Sequence, residues 1–273
     1  RIRLFDPAAH PRFDDLPWAT PLEQWVHPRI TDLPVGLHRH VVRFVQIDNQ
    51  FYALSELPNR LAEREYRLLR TMNDRGLPVV AAVALVNERG GPDPVLITRY
   101  LHHALPFRLL FRERPDIDVA ATLVESIVTL LARLHTAGFY WGDCSLSNAL
   151  FRRDELHLSA YALDTETSEL HDQMTVGQRQ SDIDVAIVNV AGGLADLAAA
   201  GELAGSVDPF EVAPKIGTGY ADIWEELHGS SAYDPVDPAA LENRLDRLHD
   251  LGFGVSEAVI TDASGSGTFV FRP

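Results

Sequence analysis

The pattern of apolar and polar positions changes character partway along the 273-residue chain. Up to about residue 101, short β-rich runs dominate. Val41 to Ile47 and Phe51 to Leu57 flank Asp48-Asn49-Gln50, and together they predict a hairpin. A helix is predicted over about Arg60 to Asp74, ended by Gly76 and the Leu77-Pro78 break. Val79 to Val86 and Val95 to Leu101 then read as a second strand pair around Gly90-Gly91-Pro92. Beyond them the period is mainly helical. Val119, Leu123, Ile127, Leu130, Leu131 and Leu134 form a stripe over Val119 to Ala137, closed by Gly138. Two short strands flank Arg153-Asp154-Glu155, and helical patterns return at about 182–200, 209–228 and 238–250. Val255 to Ile260 and Thr268 to Phe271 predict a closing hairpin.

This order predicts an α+β protein of two lobes with its cleft near residue 101. Residues 1–35, rich in Pro and aromatics such as Phe13, Trp18 and Trp25, read as an extended arm packed on a domain. Residues 36–101 form a small β-rich lobe with one helix, and residues 102–205 the core of a larger, mainly helical lobe. Residues 206–273 read as a helical extension ending in the hairpin.

Composition removes several function classes. Hydrophobic residues make up 46% of the chain, yet no apolar run reaches the ~20 residues of a membrane span. The first residues lack the basic-then-apolar form of a secretory leader. The single cysteine, Cys144, allows no intrachain disulfide, which points to a reducing cytoplasm. A net charge of −15 argues against nucleic acid as the main partner. Lys215 is the only lysine, so no Gly-Lys-Ser/Thr phosphate loop exists. Any buried cation in a site must therefore be Arg, His or a metal.

One stretch carries a chemical constellation. Trp141-Gly142-Asp143-Cys144-Ser145-Leu146-Ser147-Asn148 is followed by Leu163-Asp164-Thr165-Glu166. Alone, Gly142-Asp143 reads as a turn and Asn148 as a cap. Together with Asp164 they suit phosphoryl transfer, which needs a carboxylate at the acceptor hydroxyl and oxygen ligands around Mg²⁺. Cys144 reads as a small packing residue, since nothing beside it favours a thiolate. In the 60–74 helix, Leu61, Glu65, Leu68, Leu69 and Met72 share one face, while Glu63 falls with Arg60, Arg67 and Arg70 on the solvated side. Glu65 is thus a carboxylate in an apolar stripe, and a cationic partner is expected for it; a half-exposed boundary position is the other reading. The pairs His38/His40 and His102/His103 lack any supporting metal motif and read as structural or surface residues.

At these residues the sequence resembles the protein-kinase-like superfamily, and within it the bacterial lipopolysaccharide-kinase-like (Kdo-kinase-like) branch. The resemblance spans about residues 36–200. It rests on Leu134-His135-x-x-Gly138-Phe139-x-Trp141-Gly142-Asp143-x-x-x-x-Asn148 as catalytic loop, on Leu163-Asp164-Thr165-Glu166 as metal loop, and on Leu96-Ile97-Thr98-Arg99-Tyr100-Leu101 as the strand into the adenine hinge. It implies that Asp143 orients or deprotonates an acceptor hydroxyl and that Asn148 and Asp164 hold Mg²⁺, or Mn²⁺, on ATP. Backbone groups at Arg99, Tyr100 and Leu101, beside Thr98, would meet adenine. Glu65 falls where the family's helix Glu pairs with a strand lysine. Either Asp182 or Asp184 braces the catalytic loop.

Departures from the family pattern shape the expectation. Ser55 stands at the position of the phosphate-binding lysine, and the Gly-rich loop is reduced to Gly36 before Leu37-His38-Arg39-His40. Arg43 is one substitute for the lysine: a three-residue turn at 48–50 places it across from Ser55, whereas a two-residue turn puts it on the other face. Arg39 is the alternative. Trp141-Gly142 replaces the His-Arg of protein kinases, and only 17 residues separate Asp164 from Asp182. That favours a small or lipid-linked hydroxyl acceptor over a protein. The resemblance thus implies an atypical small-molecule or lipopolysaccharide-type kinase, with transfer of another ATP group such as AMP a variant. The alternative is a pseudokinase, a nucleotide-binding or scaffold protein. Residues 206–273 could serve a protein partner.

Overall fold

The computed structural model describes residues 1–33, 40–91, 93–113, 116–153, 158–228, 231–233, 238–253, 257–261 and 267–272. Six strands build the N-terminal sheet: β1 (Ile2–Leu4), β2 (Ile30–Thr31), β3 (Val42–Ile47), β4 (Gln50–Glu56), β5 (Ala82–Val86) and β6 (Val95–Arg99). Their order is β1-β5-β6-β4-β3-β2, with antiparallel neighbours throughout. Residues 1–33 are woven into this lobe. β1 extends the sheet edge, and Phe13, Leu16, Leu22 and Trp25 bury themselves on the outer face with Val45, Ile47 and Leu54. Glu56 fastens them: it accepts from the Leu22 amide and from Arg89, whose guanidinium also reaches the Trp18 and Thr20 carbonyls.

The β3–β4 turn decides which side chains face the cleft. It has two residues, Asp48 (φ 49°) and Asn49 (φ 61°), the doubly left-handed turn that matches strand twist. Ser55 therefore pairs with Val42, and Arg43 pairs with Leu54. The three-residue turn expected at 48–50 is corrected, and with it the placement of Arg43. Its guanidinium points to the outer face and donates to the Glu23 carbonyl at 3.0 Å.

Helix α1 (Asn59–Asp74) packs on the inner face of the sheet with Ala62, Glu65, Tyr66, Leu69 and Met72 buried. The second lobe follows: β7 (Ala104–Pro106), α2 (Phe107–Glu113), α3 (Ile117–Thr136), β8 (Phe139–Tyr140), β9 (Ala149–Arg153), β10 (Leu158–Ala162), β11 (Glu169–Leu170) and α4 (Val176–Ala199). Its centre is α3, whose apolar stripe is almost wholly buried and whose first turn is capped by the Asp116 side chain on the Val119 amide. Helix α4 begins with a reciprocal Thr175/Gln178 capping box. Thus α4 starts at Val176, and Asp182 lies inside the helix rather than opening it. Beyond lie α5 (Pro209–Val212), α6 (Lys215–His228) and α7 (Pro238–Asp250), then β12 (Ser231–Tyr233) beside the hairpin β13 (Glu257–Thr261) and β14 (Gly267–Arg272). The architecture is mixed α+β, a sheet-based N-terminal lobe on a helical C-terminal lobe.

Candidate active site

Between the lobes lies a cavity of about 700 Å³. Its roof is the inner face of the sheet (Val42 and Ala53 among others), its back the segment after β6, and its floor the loop before β9 together with one face of α4. Ser55, Glu65, Thr98, Arg99, Tyr100, Leu101, Asp143, Asn148 and Asp164 all line it. Arg43 does not, because of the register above. Arg39 lies outside the described residues.

The loop carrying Asp143 and Asn148 is held from beneath by a buried polar chain. Asp182 is fully buried; its Oδ2 accepts from the Trp141 amide at 2.7 Å and faces His135 Nε2 at 3.0 Å, while Oδ1 accepts from the Gly142 amide at 2.8 Å. His135 Nδ1 continues to the Tyr220 hydroxyl of α6 at 2.7 Å. Asp184, the competitor for this bracing role, is exposed and accepts from Gln180. Burying a carboxylate is costly unless its lone pairs are satisfied, and here three donors meet it. Gly142 has φ +79°, and a Cβ there would sit 2.9 Å from the Tyr140 ring and 3.1 Å from the Thr167 carbonyl. The loop can make this turn only with glycine.

Trp141 itself ties the Asp143 and Asp164 loops together. Trp141 Nε1 donates to the Asp164 carbonyl at 2.9 Å, and the Trp141 carbonyl accepts from the Thr167 hydroxyl at 2.8 Å. Sequence reasoning registered Trp141 only as a departure from the kinase pattern.

Asp143 is fixed at both oxygens. Oδ2 accepts from Asn148 Nδ2 at 3.0 Å, and Oδ1 accepts from Asn189 Nδ2 of α4 at 3.2 Å. Asn189 also donates to the Cys144 carbonyl. This residue was missed in the sequence: it is 46 positions away, and only the fold brings it under the loop. Cys144 is fully buried, and burial pushes its thiol well above the ordinary range, reinforced by Asp182 and Asp143.

Helix α1 grips the Asp164 loop with two adjacent residues. Arg64 donates to the Glu166 carbonyl and, at 2.6 Å, to the Ser168 carbonyl. Glu65 takes a backbone hydrogen bond from Thr165. The cation expected for Glu65 is not found among the described residues. Instead, burial raises its pKa from 4.5 to about 8, helped by the nearby charges of Asp164 and Glu166 and opposed by the Thr165 amide. At neutral pH Glu65 is thus mostly a neutral acid.

The donor set at the centre fits a hard divalent ion. Asn148 uses its Nδ2 toward Asp143, and Asp164 uses Oδ1 to accept from the Glu166 amide at 2.8 Å. Asn148 Oδ1 and Asp164 Oδ2 have no hydrogen-bond partner among the described residues, on side chains that line the cleft. Two protein oxygens suit Mg²⁺, which keeps waters and phosphate oxygens as its other ligands. No cluster of three or more His, Cys, Asp or Glu suited to a metal occurs among the described residues, so an all-protein cage is not offered. At the hinge, the Leu101 N–H has no hydrogen-bond partner among the described residues, and Val42, Ala53 and Leu150 supply apolar walls beside it.

Comparison with known proteins assigns the chain to a family. A family model described as the lipopolysaccharide kinase (Kdo/WaaP) family matches residues 38–186, more than half of the chain. The chain belongs to this family. It is therefore of kinase type, a phosphotransferase, and residues 141–148, 163–166 and 96–101, with Glu65 and Asp182, all fall inside the matched segment. Among solved structures, one described as WaaP in complex with acyl carrier protein is 17% identical, covers 80% of this chain and 89% of that chain, and gives a TM-score of 0.48. No curated protein matches. Family membership favours catalysis, and the pseudokinase alternative finds no support in these comparisons. No helix among the described residues is long and apolar enough to cross a membrane.

Proposed function

We propose that this kinase-family protein transfers the γ-phosphoryl group of ATP to a hydroxyl of a small or lipid-linked acceptor, with Mg²⁺ as the metal. The observation that carries the reading is the convergence of Asp143, Asn148 and Asp164 on one cavity, beside a Leu101 N–H with no hydrogen-bond partner among the described residues. The Leu101 N–H would donate to a ring nitrogen of adenine between the apolar walls. Asn148 Oδ1 and Asp164 Oδ2 would hold the metal, which supplies charge neutralisation across the β- and γ-phosphates. Asp143, oriented by Asn148 and Asn189, would accept the proton of the acceptor hydroxyl. That oxygen bonds to the γ-phosphorus as the bond from γ-phosphorus to the β,γ-bridging oxygen breaks, releasing ADP.

The metal loop supports a small or lipid-linked acceptor. Asp164 and the first residue of α4, Val176, are separated by 11 residues, part of them in β11. So short a segment, tied to α1 by Arg64, leaves little chain for docking an extended peptide. Transfer from γ-labelled ATP to a panel of sugar and lipid-linked hydroxyl acceptors tests the reading. Asp143→Asn should lower the transfer rate by about 10²- to 10⁴-fold while Mg-ATP still binds. Unchanged transfer in that variant would move the chemistry elsewhere.

A further inference from the structure

A bound triphosphate calls for a protein donor beside the metal, and the strand position that supplies one in related folds holds Ser55. Two basic side chains line the cleft among the described residues, His40 and Arg99. Arg99 is exposed at the hinge and faces His10 Nδ1 at 3.3 Å, on the side away from the metal loop. His40 lies two residues before β3 and lines the cleft. Its Nε2 lies 2.7 Å from Glu166 Oε1, with both side chains largely sheltered, at 27% and 15% exposed. Glu166 follows Asp164 by two residues, and its own backbone is pinned: the amide donates to Asp164 Oδ1, and the carbonyl accepts from Arg64. The Glu166 carboxylate therefore marks a point, beside the metal ligand, where His40 already meets an anionic oxygen.

We propose that His40 is the phosphate-binding side chain of this kinase, exchanging its contact with Glu166 for a phosphate oxygen of the nucleotide and thereby taking the place of the missing strand lysine. The proposal rests on the ATP-dependent reading above. A histidine N–H can be donated to an anionic oxygen in either protonation state of the ring. A charge-assisted bond of that kind is short and strong. In this arrangement the phosphate contact comes from the residue two positions before β3 rather than from β4. Ser55 then has no charge to carry, and Glu65, lacking a lysine partner, is left to the Thr165 amide. One relocation of the phosphate contact thus accounts both for Ser55 and for a Glu65 without a cationic partner among the described residues.

The test compares binding of adenosine and of ATP, each with Mg²⁺, to the wild-type chain, His40→Ala and His40→Arg by titration calorimetry. Adenosine carries the hinge contacts without phosphates, so it reports any general damage to the cleft. Expected is an ATP affinity about ten- to a hundredfold weaker in H40A, an unchanged adenosine affinity, and recovery of most of the ATP affinity in H40R. The assignment is overturned if H40A binds ATP as tightly as wild type, if ATP and adenosine weaken together, or if H40R recovers nothing. Wild-type protein that binds adenosine but gains nothing from the phosphates also overturns it. If wild-type protein binds neither ligand, the phosphotransfer reading itself fails, and this assignment with it.

Discussion

Replacing Glu65 with Gln isolates the physical consequence of a helix carboxyl that has lost its lysine. In the folded chain its pKa is about 8, against 4.5 for an ordinary glutamate, with burial the first cause and the Asp164 and Glu166 charges next. Between those values the native state holds a proton that the unfolded chain releases. Stability therefore falls as pH rises through this window, since the folded form binds more protons. The contribution is complete below about 4.5 and lost above about 8. At ~1.4 kcal/mol per pH unit, the interval corresponds to roughly 5 kcal/mol at its upper bound. Gln keeps the shape and an oxygen for the Thr165 amide but cannot ionise. Urea unfolding of wild type and E65Q in EDTA, from pH 5 to 8.5, reads the difference directly, with other titrating groups common to both. The E65Q-minus-wild-type stability should climb by about 1 kcal/mol per pH unit across the window, with m-values unchanged. Parallel curves would refute the reasoning and imply a cationic partner for Glu65.

Other substitutions probe separate parts of the site. Ser55→Lys places an ammonium on the cleft side of β4, facing Glu65, and should flatten the wild-type pH dependence much as E65Q does, by holding Glu65 ionised; an unaltered pH profile would show that the two positions do not meet. Tyr220→Phe leaves His135 Nδ1 buried without its partner and should cost about 1–3 kcal/mol in urea unfolding; no loss would place Tyr220 outside the buried chain beneath the catalytic loop. Cys144, fully buried with its thiol pKa raised, should react with a disulfide reagent only as fast as the protein unfolds, and rapid labelling of the native chain would contradict its packing role.

Particular residues show what was legible in the sequence and where local pattern stopped. The Glu65 stripe was readable because helical period alone puts it among Leu61, Leu68, Leu69 and Met72. Its partner was not, because whether a cation reaches it depends on strands and loops far away in the chain. Arg43 turned on one residue of turn length: a two-residue turn shifts the register by one and so moves Arg43 to the face opposite Ser55, and Asp48-Asn49 can adopt the left-handed pair that fixes it. Asp184 remained a competitor to Asp182 while the helix was thought to open at 182. Once α4 starts at Val176, 182 faces the catalytic loop and 184 the solvent. Arg64 and Asn189 left no local signal, since their partners sit 102 and 46 positions away. His40 was read as a structural or surface histidine because no metal-binding spacing surrounds it; only its contact with Glu166 gives it a place.

The central claim is that Asn148 and Asp164 hold one divalent ion on a nucleotide in the cleft. Calorimetric titration of ATP into wild type and Asp164→Ala, in Mg²⁺ and in EDTA, tests it most directly. Wild type should bind ATP at least about tenfold more tightly with Mg²⁺ than without, and Asp164→Ala should lose that dependence. Equal ATP binding by both proteins, indifferent to the metal, would contradict it.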